Sequence, residues 1–472
     1  MKLLKYIIIF SFCSATNGYC QSSANDYTLE NIIEIAKSES IANKISVAHH
    51  QRNIAQYNSY KKLFLPEISF TSKILDYSKD YFSVIQPSGT ISFQSRSQNY
   101  STLGLAITQI VPQTGGTVSV SSNLTRFDDF ILKEKQYNGI PINLSIRQPI
   151  NAYNEYKWLN IIEPIRLENT KRRSVAELAQ ISLLTTKLYF NVIEGKSSFD
   201  LSEEAYKTFQ RLLNEEKEKV KFGTTSLNKY SQIEIQMLDA EKLRNAALED
   251  LNNSIVELSD YIGIHISKDN ELRLPSQLPE IKIDNIDLVS SMEKNMAEYT
   301  EFKIKALEAQ RDLEKVKKEK YKINVGLSVG YNSTDNHLGN VYSRANPRQS
   351  ATLSLNFPIL DWGRLKETAK AAEYNLKEVE LAIESDKKII LQNMRRAVNG
   401  IEYSIKDIEI SRKMLEIAKQ RYSLLIDQFS TGKITVTDLI NSQQENNVAN
   451  QSYIRSLRKY WENYYELTVF VK

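Results

Sequence analysis

Twice along the 472-residue chain an alternating apolar pattern gives way to a very long helical one, and the two handovers keep the same spacing. In the first, Ile142, Leu144 and Ile146 alternate with Asn143, Ser145 and Arg147, the period of a strand with one apolar and one polar face. At Pro149 the period changes, and helix formers run to Phe222 and Gly223. In the second, Leu353, Leu355 and Phe357 alternate with Thr352, Ser354 and Asn356. Pro358 and an Asp361-Trp362-Gly363 corner follow, and helix formers continue to Phe429, with Gly432 the first glycine placed to end them. The interval from Pro149 to Gly223 equals the interval from Pro358 to Gly432. Each glycine is followed by a second amphipathic run, Ser226 to Ile262 and Thr435 to Val471. The shared spacing predicts an internal duplication, each half built as strands, long helix, tight turn, long helix.

Helical runs of that length would extend about 110 Å at 1.5 Å per residue and cannot stand alone. Segments such as residues 178–193 and 254–264 present apolar residues every three to four positions, so each helix is expected to pack on others in coiled-coil fashion. The strands constrain the surroundings. Their polar positions are mostly Asn, Ser, Thr and Gly rather than charges, as in Asn324, Gly326, Ser328, Gly330 and Asn332 between Ile323, Val325, Leu327, Val329 and Tyr331. Such a face suits a water-filled lumen, and with Tyr77, Tyr81, Phe82, Tyr100, Tyr331 and Tyr342 near strand ends a transmembrane β-barrel is expected in preference to a soluble sandwich. A few strands cannot close in lipid, where open edges are forbidden, so the barrel requires several copies.

Lys2 and Lys5 precede the apolar run Ile7 to Phe12, too short to span a bilayer and shaped as a secretory signal ending near Cys20. Cys20 also stands where an acylated cysteine would, although Tyr19 is a poor residue to precede it. Both cysteines, Cys13 and Cys20, fall inside this segment, so the mature chain would hold neither thiol nor disulfide. The formal charge of +4 would drop to +2 on cleavage, which gives no reason to expect nucleic acid. His49 and His50 are helix neighbours about 100° apart, and His265 and His337 fall in loops, so no metal-ligand spacing results. Glu215, Glu216 and Glu218 interleave with lysines as solvated helix faces do, and no nucleophile elbow or phosphate loop appears. The residues offer no catalytic centre, no metal site and no cofactor site, and the chain reads as a non-enzyme.

The duplicated layout, QPI at 148–150 and FPILDWGR at 357–364 before long helices, and the segments KFGTTSLNKYSQIE and FSTGKITVTDLINSQQE together resemble the TolC-like outer-membrane efflux proteins over nearly the whole mature chain. The resemblance implies an α+β membrane protein: a long antiparallel helical coiled-coil tunnel plus a trimeric transmembrane β-barrel in the outer membrane, with the tunnel in the periplasm. It implies a homotrimer in contact with outer-membrane lipids, a periplasmic adaptor, and an inner-membrane RND or ABC transporter. It places Gly223 and Gly432 at the adaptor-contacting tip, and Asp438, Asn441 and Phe429 at the periplasmic aperture. Asn441 stands where an acidic residue is usual, Phe429 replaces a tyrosine, and Lys229 takes a position where an acid would be expected. Pro149, Pro358, Trp362 and Gly363 form the strand-to-helix corners. A secreted structural or adhesive coiled-coil protein is the alternative.

The expected division is a signal at 1–20, a first repeat at 21–264, a linker at 265–285 and a second repeat at 286–472. The strand region of the first half is longer than that of the second, and residues 103–124, two alternating stretches around Gly115 and Gly116, are expected to form an additional hairpin.

Overall fold

The computed structural model describes residues 27–267, 270, 272–275, 277–279 and 295–471. The expected signal segment and about half of the expected linker lie outside them. The chain divides into two compact units, one comprising Met1–Ile41, Leu184–Glu280 and Ser404–Trp461, the other Ala42–Leu183, Ile281–Tyr403 and Glu462–Lys472.

Among the described residues the strands all fall in the second unit: β1 (Glu67–Lys73), β2 (Tyr77–Ile85), β3 (Ile91–Val111), β4 (Gly116–Asp129), β5 (Glu134–Ile150), β6 (Lys322–Asp335) and β7 (Asn346–Asn356). They form one antiparallel sheet in the order β1-β3-β4-β5-β6-β7, with β2 continuing the β1 edge along the outer part of β3. The hairpin expected at 103–124 is present, with Val111 opposite Gly116 and Leu103 opposite Leu124. β3 reaches 21 residues, longer than a minimal membrane strand needs, because its first part forms with β2 a two-stranded extension that the weak alternation at 77–99 does not announce.

Register puts each strand's apolar positions in line. Ile68, Ile107, Val120, Leu144 and Val329 are successive cross-strand partners on one face. On the other face Glu67, Thr108, Ser119, Ser145, Ser328 and Ser350 form the adjoining row, in which the Ser119 and Ser145 hydroxyls lie 2.6 Å apart. The apolar row is not a core: Ile68 is 69% and Val329 57% exposed. Along β6 this face runs from Ile323 to Tyr331, about 26 Å at 3.3 Å per residue, of the order of the apolar band of a membrane barrel. Among the described residues no helix is long and apolar enough to cross a membrane.

The helices are α1 (Leu29–Glu39), α2 (Ile41–Lys62), α3 (Glu155–Lys221), α4 (Leu227–Ile262), α5 (Ala297–Lys318), α6 (Leu338–Ser343), α7 (Arg364–Ser430) and α8 (Val436–Val471). Thr28 caps α1, accepting the Asn31 N–H at 3.3 Å. α1 ends at Ser40, whose backbone is extended, and α2 starts directly after it at Ile41. α3 and α7 are both 67 residues long, and α4 and α8 are both 36 residues long. The interval in sequence from the start of α3 to the start of α7 equals that from the start of α4 to the start of α8. The helical runs expected between each proline and its glycine therefore include the strand-to-helix corner and the closing turn. α6, a single turn and a half between β6 and β7, has no counterpart in the sequence expectation. It buries Val341 against Gly139, where an added Cβ would come within 2.2 Å of Val341 Cγ1, beside the irregularity in β5 between Gly139 and Ile142.

In the first unit α3, α4, α7 and α8 share a core near their turns. Ala205, Phe209 and Leu212 meet Ile233 and Ala240, Tyr422 and Phe429, and Val436 and Leu439. Each large buried side chain there contributes at most about 1.5–3 kcal/mol by removal from water. That shared core joins the two halves of the chain within one packed group of helices.

Candidate functional site

The two helix turns are built alike. After α3 the Gly223 N–H donates to the Val220 carbonyl (3.0 Å) and the Thr224 N–H to the Lys219 carbonyl (3.0 Å). After α7 the Gly432 N–H donates to the Phe429 carbonyl (3.0 Å) and the Lys433 N–H to the Gln428 carbonyl (3.1 Å). This paired bonding satisfies the last carbonyls of a helix when the closing residue is left-handed, and Gly223 and Gly432 have φ of +72° and +77°. No atom lies within 4 Å of a Cβ added at either glycine, so both turns present bare backbone outward.

The next helix starts differently in the two halves. Ser226 caps α4 by accepting the Lys229 N–H at 3.3 Å. Thr435 caps α8 by accepting the Asp438 N–H at 3.2 Å, and Asp438 Oδ2 accepts the Thr435 N–H (3.0 Å) and hydroxyl (2.6 Å) in return. The Thr435 hydroxyl and N–H, in that order, hold the Asp438 carboxyl below its usual range. Asp438 is exposed and Asn441 is exposed beside it, three positions on along α8, and Glu445 continues the same face one turn further. Arg421 of α7 pairs with Glu445 and adds a weaker attraction at Asp438, so this face carries two carboxylates and one guanidinium. Glu445 and Arg421 are not among the residues expected from sequence; the 438-441-445 spacing is the signal that could have found them.

Phe429 lies elsewhere. Its ring is 1% exposed and faces the shared core, so in the single chain it supports the turn from inside and is not part of the exposed face of Asp438 and Asn441. Lys229 Nζ lies 4.7 Å from the centre of that ring and 3.3 Å from Glu216 Oε1, which also takes Lys219 Nζ at 3.0 Å. Glu216 is itself 1% exposed. Burial alone pushes its carboxyl up, but hydrogen bonds from Lys219, Thr225 and Lys229 together with the Lys229 charge outweigh burial and hold it below the usual range. The lysine that departs from the expected acidic pattern thus has its own acidic partner, one that the charge run 215–219 conceals.

At the corners, Pro149 is the penultimate residue of β5, opposite Asn324, and Asn154 starts α3 by accepting the Lys157 N–H at 3.2 Å. In the second half Pro358 leaves β7, and the Asp361 carboxylate accepts the Gly363 and Leu365 N–H groups at 3.0 Å each. Trp362 and Gly363 both adopt positive φ, +55° and +84°, and Trp362 is 89% exposed beside exposed Ile359 and Leu360. Among the described residues no group of three or more His, Cys, Asp or Glu is placed to hold a metal ion.

Residues 300–469 match the family model described as outer membrane efflux protein. No curated protein matches the chain. Among solved structures the chain is similar to the Campylobacter jejuni CmeC outer membrane channel, at 13% identity and TM-score 0.68 over 94% of this chain and 85% of that one. It is similar to the Vibrio cholerae outer membrane protein VceC at 13% identity and TM-score 0.66, over 94% and 95% of the two chains. The open-state Neisseria gonorrhoeae MtrE outer membrane channel matches at 15% identity and TM-score 0.61, over 94% and 88%. The resemblance to the TolC-like outer-membrane efflux proteins thus rests on two separate findings, the family's sequence pattern over residues 300–469 and the fold of solved outer membrane channels over nearly the whole chain.

Proposed function

We propose that this chain is the outer-membrane channel-tunnel of a tripartite efflux or type I secretion system, conducting substrates passively from a periplasmic adaptor and an inner-membrane RND or ABC transporter to the exterior. The observation that carries the reading is the sheet. It exposes a continuous apolar face, keeps a Ser/Thr/Asn face opposite, and among the described residues leaves two edges unpaired, β7 on one side and β1 with β2 on the other. In lipid both edges need partners, and a ring of copies joining β7 of one to β1 of the next supplies them. Three copies make the homotrimer that the family resemblance suggests.

The equal helix lengths at one common offset, with matching glycine turns, support an internal duplication as the origin of the two halves. The bare backbone at Gly223 and Gly432 suits close approach by the adaptor. Asp438 and Asn441, exposed together on α8, are assigned to the aperture, with Phe429 behind them as packing. Exposed Trp362, directly after the membrane sheet, is assigned to the lipid headgroup region, where an indole keeps one edge wet. The test combines outer-membrane fractionation, heat-modifiable migration and planar-bilayer recording. The expected result is a trimer in the outer-membrane fraction that gives discrete conductance steps, with an intact mass lacking roughly the first 20 residues. A soluble monomer without conductance would overturn the proposal.

A further inference from the structure

The polar face of the sheet carries a specific charge pattern. Between the levels of Asn324 and Gly330 its rows are made of Ser, Thr, Asn, Gly and Ala together with Ile110 and Pro149, and the charged side chains in them are Arg147 on β5, Arg348 on β7 and Glu67 on β1. Their faces follow from register. Arg147 lies opposite Thr117 and Gly326, and Gly326 lies opposite Thr352; Arg348 lies opposite Gly330, which lies opposite Asn143. Each arginine therefore stands across from a glycine of β6, so no β6 side chain covers it. Both are exposed. The neighbouring lysines at the two ends of this stretch are different, since Lys322 reaches Glu319 at 3.4 Å and Lys73 reaches Asp76 at 2.6 Å. Glu67 sits at the open edge, three strands from Arg147, about 14 Å across the sheet at 4.8 Å per strand.

The geometry points to Arg147 and Arg348 as the charge filter of the membrane pore, making its outer segment selective for anionic, carboxylate- or phosphate-bearing cargo. The inference rests on the conduit reading, in which the polar face lines the lumen. Three copies would then present six guanidinium groups against three carboxylates. The arginines occupy two levels four positions apart, about 13 Å along the strand. That separation is comparable with the Debye length of about 10 Å at 0.1 M salt, so the two levels act almost separately and strengthen as salt is lowered. Guanidinium is permanently charged and weakly hydrated, so it can attract an anion without a compensating proton. The acidic face at Asp438 belongs to a different part of the chain and acts in the opposite sense.

The experiment measures reversal potentials under a KCl gradient in planar bilayers. All channels carry Asp438→Asn, so that the aperture charge does not set the result. The double substitution Arg147→Gln and Arg348→Gln is compared with Arg147→Lys and Arg348→Lys. A change in pore potential of about half of kT alters the anion-to-cation ratio by about threefold, so the chloride-to-potassium permeability ratio should fall by about that factor or more in the Gln pair. The Lys pair should keep the parent ratio, and the difference should shrink in about 1 M salt. An unchanged ratio in the Gln pair, or an equal loss in the Lys pair, overturns the filter while leaving the conduit intact. Absence of conductance from the unaltered chain instead overturns the conduit reading and the filter with it. Should the Gln pair fail to insert, Arg147→Gln alone carries the same comparison.

Discussion

Replacing Lys229 by Met tests whether the Glu216 node holds the turns together. Methionine keeps an unbranched apolar stem against Phe429, so packing is largely retained while the charge is lost. In the native chain Glu216 Oε1 has Lys229 at 3.3 Å and Lys219 at 3.0 Å, with Glu216 1% exposed. Stranding a buried charge by removing its partner costs about 3–5 kcal/mol. Here one lysine remains, and Lys219 and Lys229 are 36% and 27% exposed, so solvent screens both contacts and the electrostatic loss is reduced to about 1–2 kcal/mol. Loss of the contact over Phe429 adds about 0.5–1 kcal/mol. A total of about 2 kcal/mol corresponds to roughly thirtyfold more frequent local opening. Hydrogen exchange read by mass spectrometry on peptides covering 213–240 should show that acceleration. The double variant Glu216→Gln, Lys229→Met should exchange more slowly than Lys229→Met alone, because no buried carboxylate is then left with Lys219 as its single cation. Unchanged exchange in Lys229→Met, or a double variant worse than the single, would refute the reasoning.

The folded Glu216 carboxyl lies below its unfolded value, so its contribution is complete above about pH 4.3 and is lost as pH falls through the folded value; exchange at the turns should accelerate below that pH, and Glu216→Gln should flatten the dependence. At Gly432 or Gly223, alanine meets no atom but must adopt positive φ, costing about 1–2 kcal/mol, whereas tryptophan should leave the trimer inserted and abolish export, which normal export in Gly432→Trp would contradict. Asp438→Asn should reduce cation selectivity and divalent block in bilayer recordings and Asn441→Asp should increase both, while equal behaviour of both variants and the parent would place the aperture elsewhere. Leu353→Arg puts a charge on the apolar face at a cost of about 2–4 kcal/mol near the bilayer midplane, and Ser354→Arg puts it on the polar face; assembled trimer on gels should fall for the first only, and equal losses would reverse the face assignment.

The long helices were legible because period and punctuation agree over many residues. About eighteen helical turns leave a strong 3.6-residue signal, and a glycine with positive φ closes each of α3 and α7 where the sequence placed it. The strands of the second half and the 103–124 hairpin were legible for a similar reason, the strict alternation of Val325, Leu327 and Val329 with glycine and serine. The extension formed by β2 and the first part of β3 was not. Tyr81 and Phe82 are adjacent, as are Val84 and Ile85, which blurs the alternation, and over Asp80–Ile85 its two strands pair only with one another. The short α6 escaped because its anchor, Val341 against Gly139, joins positions far apart in the chain.

The site was half legible, and the hidden half explains how two turns of one backbone can differ in chemistry. Lys229 and Asp438 occupy the same place in their two halves, third in the helix after the cap. A carboxylate there complements the positive end of the helix dipole and closes the bonding box with Thr435, so Asp438 is locally favourable with no distant partner. An ammonium there opposes the same dipole by about 0.3–1 kcal/mol and leaves the Ser226 N–H without a returning side-chain acceptor. Such a residue is tolerable if something outside its own helix offsets it, and in this chain Glu216 of α3 and the Phe429 ring of α7 do so. The consequence is directional. The Asp438 carboxylate takes its hydrogen bonds from its own turn and stays at the surface, whereas the Lys229 ammonium is drawn inward and ties three helices together. Reversing the two charges would therefore not exchange the roles of the turns, because Leu425 stands in α7 at the position equivalent to Glu216, and a lysine at 438 would find no buried acid there.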